Sequence, residues 1–214
     1  MSTTQECAKE LECCLHLPKD MVTLRRIFLS ILRLHFSDPG HYGVYQDELG
    51  CFYYSSDPEK ASTLHVALMH TVDPKKIGPL PAIYVGISSA TFEKQAIDNY
   101  QSVSADGATS IFTNLCQAAV KISHLARSAD QAILLAENTL SVMAGMRPQL
   151  MEVFSFLMFD IQQITEPKIQ EKGSDTAYIV DVNVSLAFNF LMSCNIESHP
   201  LARIGLDLTP EAGI

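Results

Sequence analysis

Apolar side chains occupy every second position of residues 177–192, which predicts an unusually long β-strand. The apolar positions are Tyr178, Val180, Val182, Val184, Leu186, Phe188, Phe190 and Met192. The positions between them are mostly polar, so the pattern indicates a sheet with one dry face and one wet face. At about 3.3 Å per residue the segment spans roughly 50 Å, far more than a common strand of roughly 17 to 20 Å. We therefore expect part of this strand to extend beyond its own domain.

Two helices are predicted from apolar positions at helical spacing. The first covers residues 21–36, with Asp20 as its N-terminal cap and a turn at Asp38-Pro39-Gly40. The second begins at Ser128, where Gln131 completes a capping box, and Gly145 is expected to end it.

Alternating or apolar runs predict further strands. Residues 51–55 and 64–72 suggest a pair joined by a turn, and residues 82–87 and 109–124 suggest two more strands. Residues 151–164 are apolar on both faces, which predicts the most buried strand of the set. Residues 166–175 form a polar loop that leads into the long strand. Residues 91–101 fit either a loop or a short helix.

The order of these elements predicts an α+β fold, with a mainly antiparallel sheet of long strands and two helices packed on one face. A single domain is expected over residues 20–196. A polar N-terminal arm covers residues 1–19, and a C-terminal tail with little periodicity covers residues 197–214.

Composition narrows the function classes. The net charge of -9 argues against general affinity for nucleic acid, because neutralising phosphates requires clustered Lys and Arg. Arg25, Arg26 and Arg33 are the candidates for a local basic patch, although their positions favour the solvent face of the first helix. The N-terminus lacks the apolar core of a secretion signal, and no apolar run is long enough to span a bilayer. Folding in the cytoplasm, without a membrane, is therefore expected.

The cysteines predict free thiols in a reducing compartment. No CxxC pair occurs, so the cluster of Cys7, Cys13 and Cys14 lacks the second pair that zinc sites use. The remaining cysteines are Cys51, Cys116 and Cys194.

One motif resembles catalytic machinery. Gly86-Ile87-Ser88-Ser89-Ala90 follows a predicted strand and is close to the G-x-S-x-G nucleophile elbow, with His124 or His199 as conceivable bases. Ala90 replaces the second glycine and the expected sheet is antiparallel, so a serine turn at a strand end is the favoured interpretation.

The positions of the other titratable candidates favour structural roles for them. His65 and His70 would lie on opposite faces of a strand, which prevents joint metal binding. His35 lies on the apolar face of the first helix, and Asp160 is an acid within a predicted buried strand that needs a partner. No Walker loop or dinucleotide fingerprint occurs. The sequence predicts no catalytic residue, no cofactor and no metal ligand.

The chain resembles the tail terminator and related neck proteins of tailed bacteriophages. The resemblance lies in the order of elements and in two segments: the proline-led strand entry Leu80-Pro81-Ala82-Ile83-Tyr84-Val85, and the alanine- and leucine-rich helix from Ser128 to Met143. It covers residues 21–192 at the level of topology.

The resemblance implies a homo-oligomeric ring, a hexamer, in the virion neck. Such a ring would contact the tail tube protein on one side and the head-tail connector protein on the other, and DNA would pass through it without specific binding. Two alternatives remain open: another phage assembly part, such as a head-completion adaptor, baseplate or tail tube protein, and a small soluble hydrolase or binding module. Loss of an activity on Ser88→Ala would favour the hydrolase.

Overall fold

A computed structural model describes residues 21–57, 61–71, 77–93, 100–103, 109–172 and 175–195. Those ranges contain three α-helices: α1 (Met21–His35), the short α2 (Gln46–Leu49) and α3 (Ala129–Val153). The strands are β1 (His65–Leu68), β2 (Ala82–Glu93), β3 (Tyr100–Val103), β4 (Thr109–Ala126), β5 (Met158–Ile164), β6 (Lys168–Lys172) and β7 (Asp175–Asn195). The predicted N-terminal arm, the cap Asp20 and the C-terminal tail lie outside the described residues.

The strands form one mixed sheet in the order β1-β2-β4-β7-β5, with β3 also pairing with β4 and β6 also pairing with β7. β1 is parallel to β2, and the other pairs are antiparallel. The prediction of a mainly antiparallel sheet is corrected by this parallel edge. The connection from β1 to β2 runs through residues 69–81, which is long enough to return the chain to the same end of the sheet.

The two long helices cover one face of the sheet. Side chains of α1 and α3 share a single core with the alternating residues of β2, β4 and β7, including Val85, Val120 and Val184. A smaller cluster on the opposite face contains Ala67, Tyr84 and Leu125. Along β7 the buried residues alternate with half-buried polar ones through its central part, as the sequence predicts.

Five helix and strand predictions are confirmed. The strands predicted over residues 82–87 and 109–124 lie within β2 and β4. α1 ends at His35, one residue from the predicted end, and α3 starts at Ala129 with the Ser128 hydroxyl accepting the Gln131 backbone N–H at 3.3 Å. β7 spans the predicted long strand and adds residues at both ends.

Other predictions were wrong. Residues 51–55 form no strand; Tyr54 instead donates its backbone N–H to the carbonyl of Phe36. α3 continues through Gly145 to Val153, because Leu150 and then Phe154 bury their side chains beyond the glycine. Residues 151–153 are therefore helical.

The strand predicted to be most buried is an edge strand. In β5, Phe159 is the buried residue, because the preceding aromatic residues Phe154 and Phe156 already fill the core from the helix end and the turn. The polar loop over residues 166–175 contains β6, which forms a hairpin with β7.

Candidate assembly surface

The long strands extend past the part of the sheet that the helices cover. In β2 the residues from Ala82 to Gly86 are buried, whereas those from Ser88 to Glu93 are all exposed. Glu93 pairs with Leu115 of β4, which in turn pairs with Asn189 of β7. We call residues 88–93, 100–103, 109–117 and 187–195 the strand extension. That part of β7 reaches beyond its own domain stays a prediction.

An aromatic cluster marks the boundary between the core and the extension. Phe156 packs against Phe159 and Phe188, with ring centroids 6.4 and 6.1 Å apart, and Phe188 is almost fully buried. Two residues further along β7, Phe190 meets Phe92 of β2 edge to face at 5.1 Å. Phe92 is 50% exposed. The apolar surface therefore continues past the end of the helical layer.

β7 has an open outer edge along the extension. Its outer neighbours are β6, which pairs with residues 175–179, and β5, which pairs with residues 182–187. Among the described residues, no strand pairs with the outer side of residues 188–195. This edge is about 26 Å long at the usual rise per residue.

The direction of the backbone groups on this edge follows from one hydrogen bond. The Ala187 carbonyl accepts the backbone N–H of Leu157 and so faces the outer side of β7. Because successive residues of a strand alternate the side to which their N–H and C=O point, Asn189, Leu191 and Ser193 direct theirs to the same open side. Phe188 and Phe190 direct theirs to β4.

As far as the structure describes the chain, the open edge lacks the devices that usually protect one. Natural edges carry Lys, Pro, bulges or covering elements that block pairing with another chain. Residues 188–195, Phe-Asn-Phe-Leu-Met-Ser-Cys-Asn, contain no charge and no proline. Their pairing with β4 shows no shift of register. An unpaired, regular and uncharged edge can accept an additional strand.

Two other edges of the sheet, those of β1 and β5, are protected. On β1 the Arg33 guanidinium donates from Nε and Nη2 to the Val66 carbonyl at 3.2 and 3.1 Å, and lies 5.1 Å from the centre of the Tyr54 ring. β5 carries a register shift after Ile161 and an exposed charge at Asp160.

Ser88, the serine of the elbow-like motif, lies at a β-bulge within β2, whereas the favoured interpretation was a turn at a strand end. The register of β2 shifts between Ile87 and Ser89, and the Ser88 hydroxyl donates to the Ala119 carbonyl at 3.1 Å. β2 continues as a strand through the motif, whereas a nucleophile elbow would turn into a helix. His124 pairs with Ile83, five positions back along β2. The structure does not bring Ser88 and His124 together, and His199 lies outside the described residues.

His124 is a buried structural group. Its Nδ1 lies 3.2 Å from the Val180 carbonyl and its Nε2 lies 2.8 Å from the Thr139 hydroxyl. Burial lowers its pKa to about 4, against smaller opposing effects of the Val180 hydrogen bond and the Asp181 charge. A neutral ring matches these partners: Nδ1–H donates to Val180, and Nε2 accepts from Thr139.

The wet face carries a compact polar network. Asp181 is nearly buried, and its carboxylate accepts the Ser123 hydroxyl at 2.6 Å and pairs with Lys121 Nζ at 2.8 Å. Sequence analysis missed this network. The register of β4 on β7 places Ser123 directly opposite Asp181, and only the pairing could reveal it.

The remaining titratable candidates from the sequence lie apart from one another in the structure. Asp160 is exposed, which corrects the prediction that it is a buried acid. His65 is in β1, whereas His70 is in the helical turn after it and lies 3.4 Å from Arg25 Nη1, so these two do not share a strand as predicted. Burial lowers the pKa of His65, and the nearby Arg33 lowers it further. His35 contacts Asn138 of α3 through Nε2 and Oδ1 at 2.9 Å.

The cysteines and the arginines differ among themselves in burial. Cys116 is buried with a pKa raised by burial, Cys51 is exposed, and both are free thiols. Cys7, Cys13 and Cys14 lie outside the described residues. Arg26 is exposed, as predicted for a solvent face, whereas Arg33 is half-buried against β1.

Neither a metal-binding cluster nor a membrane-spanning helix occurs among the described residues. No group of three or more His, Cys, Asp or Glu side chains there is arranged to hold a metal ion. No helix in those ranges is long and apolar enough to cross a membrane.

Comparison with known proteins gives no match, either to a protein-family model or to a curated sequence.

Proposed function

We propose that this chain is a structural protein of a tailed-phage neck, a tail terminator whose copies close into a ring that caps the tail tube and joins it to the head connector. The observation that carries the proposal is the open edge of β7 over residues 188–195. Pairing of this edge with another copy would satisfy the outward backbone groups of Asn189, Leu191 and Ser193 and remove an aggregation-prone edge.

The two sides of the strand extension favour a ring over a dimer. In the distal part of the sheet the strand order is β3-β4-β7, so its outer sides belong to different strands. A contact between the β7 edge of one copy and the β3 edge of the next joins unlike surfaces. Such head-to-tail contacts close into rings when the rotation permits and otherwise continue as open filaments. Pairing of β7 with β7 would instead give a two-fold dimer.

The phage identity rests on the resemblance in element order and on the chemistry of the chain. The acidic net charge suits a channel through which DNA passes without binding. The exposed aromatic ring of Phe92 beside Phe190 offers apolar surface at the place where neighbouring copies would meet.

The experiment is a native mass measurement on the wild type and on edge variants. Proline at position 189 or 193 removes one outward N–H without removing a hydrogen bond to β4. We expect the wild type to be a ring, and both Asn189→Pro and Ser193→Pro to be monomers with unchanged circular dichroism. Asn189→Thr keeps the N–H and is the matched control, which should remain a ring.

Other results would redirect the proposal. Long tubes in electron micrographs would identify a tail tube protein. Proline variants that retain the wild-type mass would show that this edge does not join the copies.

A further inference from the structure

The surface between α1, α3 and residues 41–45 forms an open pocket of about 510 Å³ that the proposed assembly does not use. This volume is within the range of small-molecule sites, roughly 300 to 1,000 Å³. Apolar side chains such as Ile31, Val142 and Met146 form most of its wall. The pocket lies on the helical side of the sheet.

Asn138 of α3 is a polar group in this wall with an unmet hydrogen-bonding need. It is only 2% exposed, and its Oδ1 lies 2.9 Å from Nε2 of His35. Its Nδ2 is buried and has no hydrogen-bond partner among the described residues. Burying an amide donor unpaired is unfavourable, so natural proteins rarely retain one without a use.

The contact with His35 shows which atom of Asn138 is spare. The atom that faces His35 Nε2 is the amide oxygen Oδ1, which can only accept, so Nε2 carries the hydrogen and donates it. The two hydrogens on Nδ2 are then the unused donors of a residue that lines the pocket, so an occupant that reaches them must supply an acceptor.

The absence of charged side chains from the described wall of the pocket favours a neutral occupant. None of the described residues in the wall is Asp, Glu, Lys or Arg. An ion placed there would lose hydration without gaining a counter-charge, which is strongly unfavourable. The pocket therefore suits an uncharged apolar molecule.

Gly145 keeps the pocket open. It lies seven residues after Asn138, so the two share one face of α3 with Val142 between them. Glycine inside a helix is unfavourable by roughly 1 kcal/mol relative to alanine. A Cβ atom at Gly145 would meet nothing within 4 Å, so no steric clash requires glycine there. A side chain at this position would instead occupy the pocket.

We propose that this pocket binds a small neutral apolar molecule that carries a carbonyl oxygen, which accepts a hydrogen bond from Asn138 Nδ2. The apolar part lies against Ile31, Val142 and Met146. Residues Val44, which is 86% exposed, and His41 stand at the rim. This site is independent of the β7 edge and of ring formation.

The test uses two probes of nearly equal shape, acetophenone and ethylbenzene, which differ in the carbonyl oxygen. Each is titrated into the full-length protein while the methyl NMR signal of Met146 is followed. We expect acetophenone to bind about fivefold more tightly, the factor given by one net hydrogen bond of average strength. Equal affinities for the two probes, or no binding of either, would overturn the proposal.

Two variants distinguish the contribution of the hydrogen bond to probe binding from that of the open space in the pocket. Asn138→Leu is expected to bind both probes equally, because it keeps the apolar wall and removes the donor. Gly145→Leu is expected to bind neither, because its side chain fills the space that is open in the wild type. Binding that survives Gly145→Leu would place the probes elsewhere and contradict the proposal. If Asn138→Leu fails to fold, the wild-type ratio and Gly145→Leu still decide the matter.

Discussion

His124 should make the stability of this protein depend on pH in a defined window. The ring is fully buried between β4 and α3, and its two nitrogens are matched to Val180 and Thr139 in the neutral form. Protonation would put a charge into the core and would require the Thr139 hydroxyl to accept a hydrogen bond from Nε2–H instead of donating one. Burial accordingly lowers the pKa from 6.5 to about 4.

The sign of the effect follows from proton binding. Between pH 6.5 and about 4 the unfolded chain binds a proton that the folded chain does not, so stability is fully present above pH 6.5 and is lost as the pH falls. Between pH 7 and pH 4.5 the loss from this one group is about 2 kcal/mol. The direction is opposite to that of a histidine stabilised in its charged form.

The assay is urea unfolding at a series of pH values and a fixed protein concentration, on the wild type and on His124→Gln. Glutamine does not titrate and can hydrogen-bond to the same two partners. We expect the wild type to lose about 2 kcal/mol more than the variant over this range. The lowered pKa values of His35 and His65 contribute equally to both proteins and cancel. Parallel pH profiles for the two proteins would refute the reasoning.

Two further predictions concern charge and helix formation. Lys121→Met should destabilise the fold by about 1 to 3 kcal/mol, because it leaves the nearly buried Asp181 carboxylate without its cation. The free energy of unfolding, measured by chemical denaturation, should be largely restored in the double variant Lys121→Met/Asp181→Asn. Gly145→Ala should raise the melting temperature, by a stabilisation of about 1 kcal/mol, since its Cβ meets open space. The matched change Gly50→Ala should lower it, because that Cβ would lie 2.5 Å from the Gln46 carbonyl oxygen.

Periodicity predicted the elements whose stability depends on a single regular face. α1, the start of α3 and β7 all carry apolar stripes at the correct spacing over many residues, and the Ser128 cap is a local signal that acts within one turn. The same strand length that the pattern indicated is the origin of the strand extension.

The errors arise where tertiary contacts outweigh local signals. Gly145 is typical of a helix end, yet burial of Leu150 and Phe154 continues α3 past it. The apolar run over residues 151–164 serves a helix end, a turn and an edge strand, and no period distinguishes these uses. The parallel pairing of β1 depends on a long connection rather than on any short motif.

The candidate surfaces were predictable only in part. The length of β7 indicated that it outruns its core, but which side of it stays unpaired depends on where β5 and β6 end. Arg33 covers the opposite edge from a position that helical spacing assigned to solvent. The orphaned amide of Asn138 depends on contact with His35, which is distant in sequence.

The central claim, that copies of this chain pair through the open edge of β7 into a ring, is tested most directly by the native mass of the purified protein. The chain has a mass of 23.6 kDa, so a hexamer has a mass of about 142 kDa. We expect a single species near that mass for the wild type and a monomer for Asn189→Pro. A two-fold dimer, or a wild-type monomer at concentrations of tens of micromolar, would contradict the account.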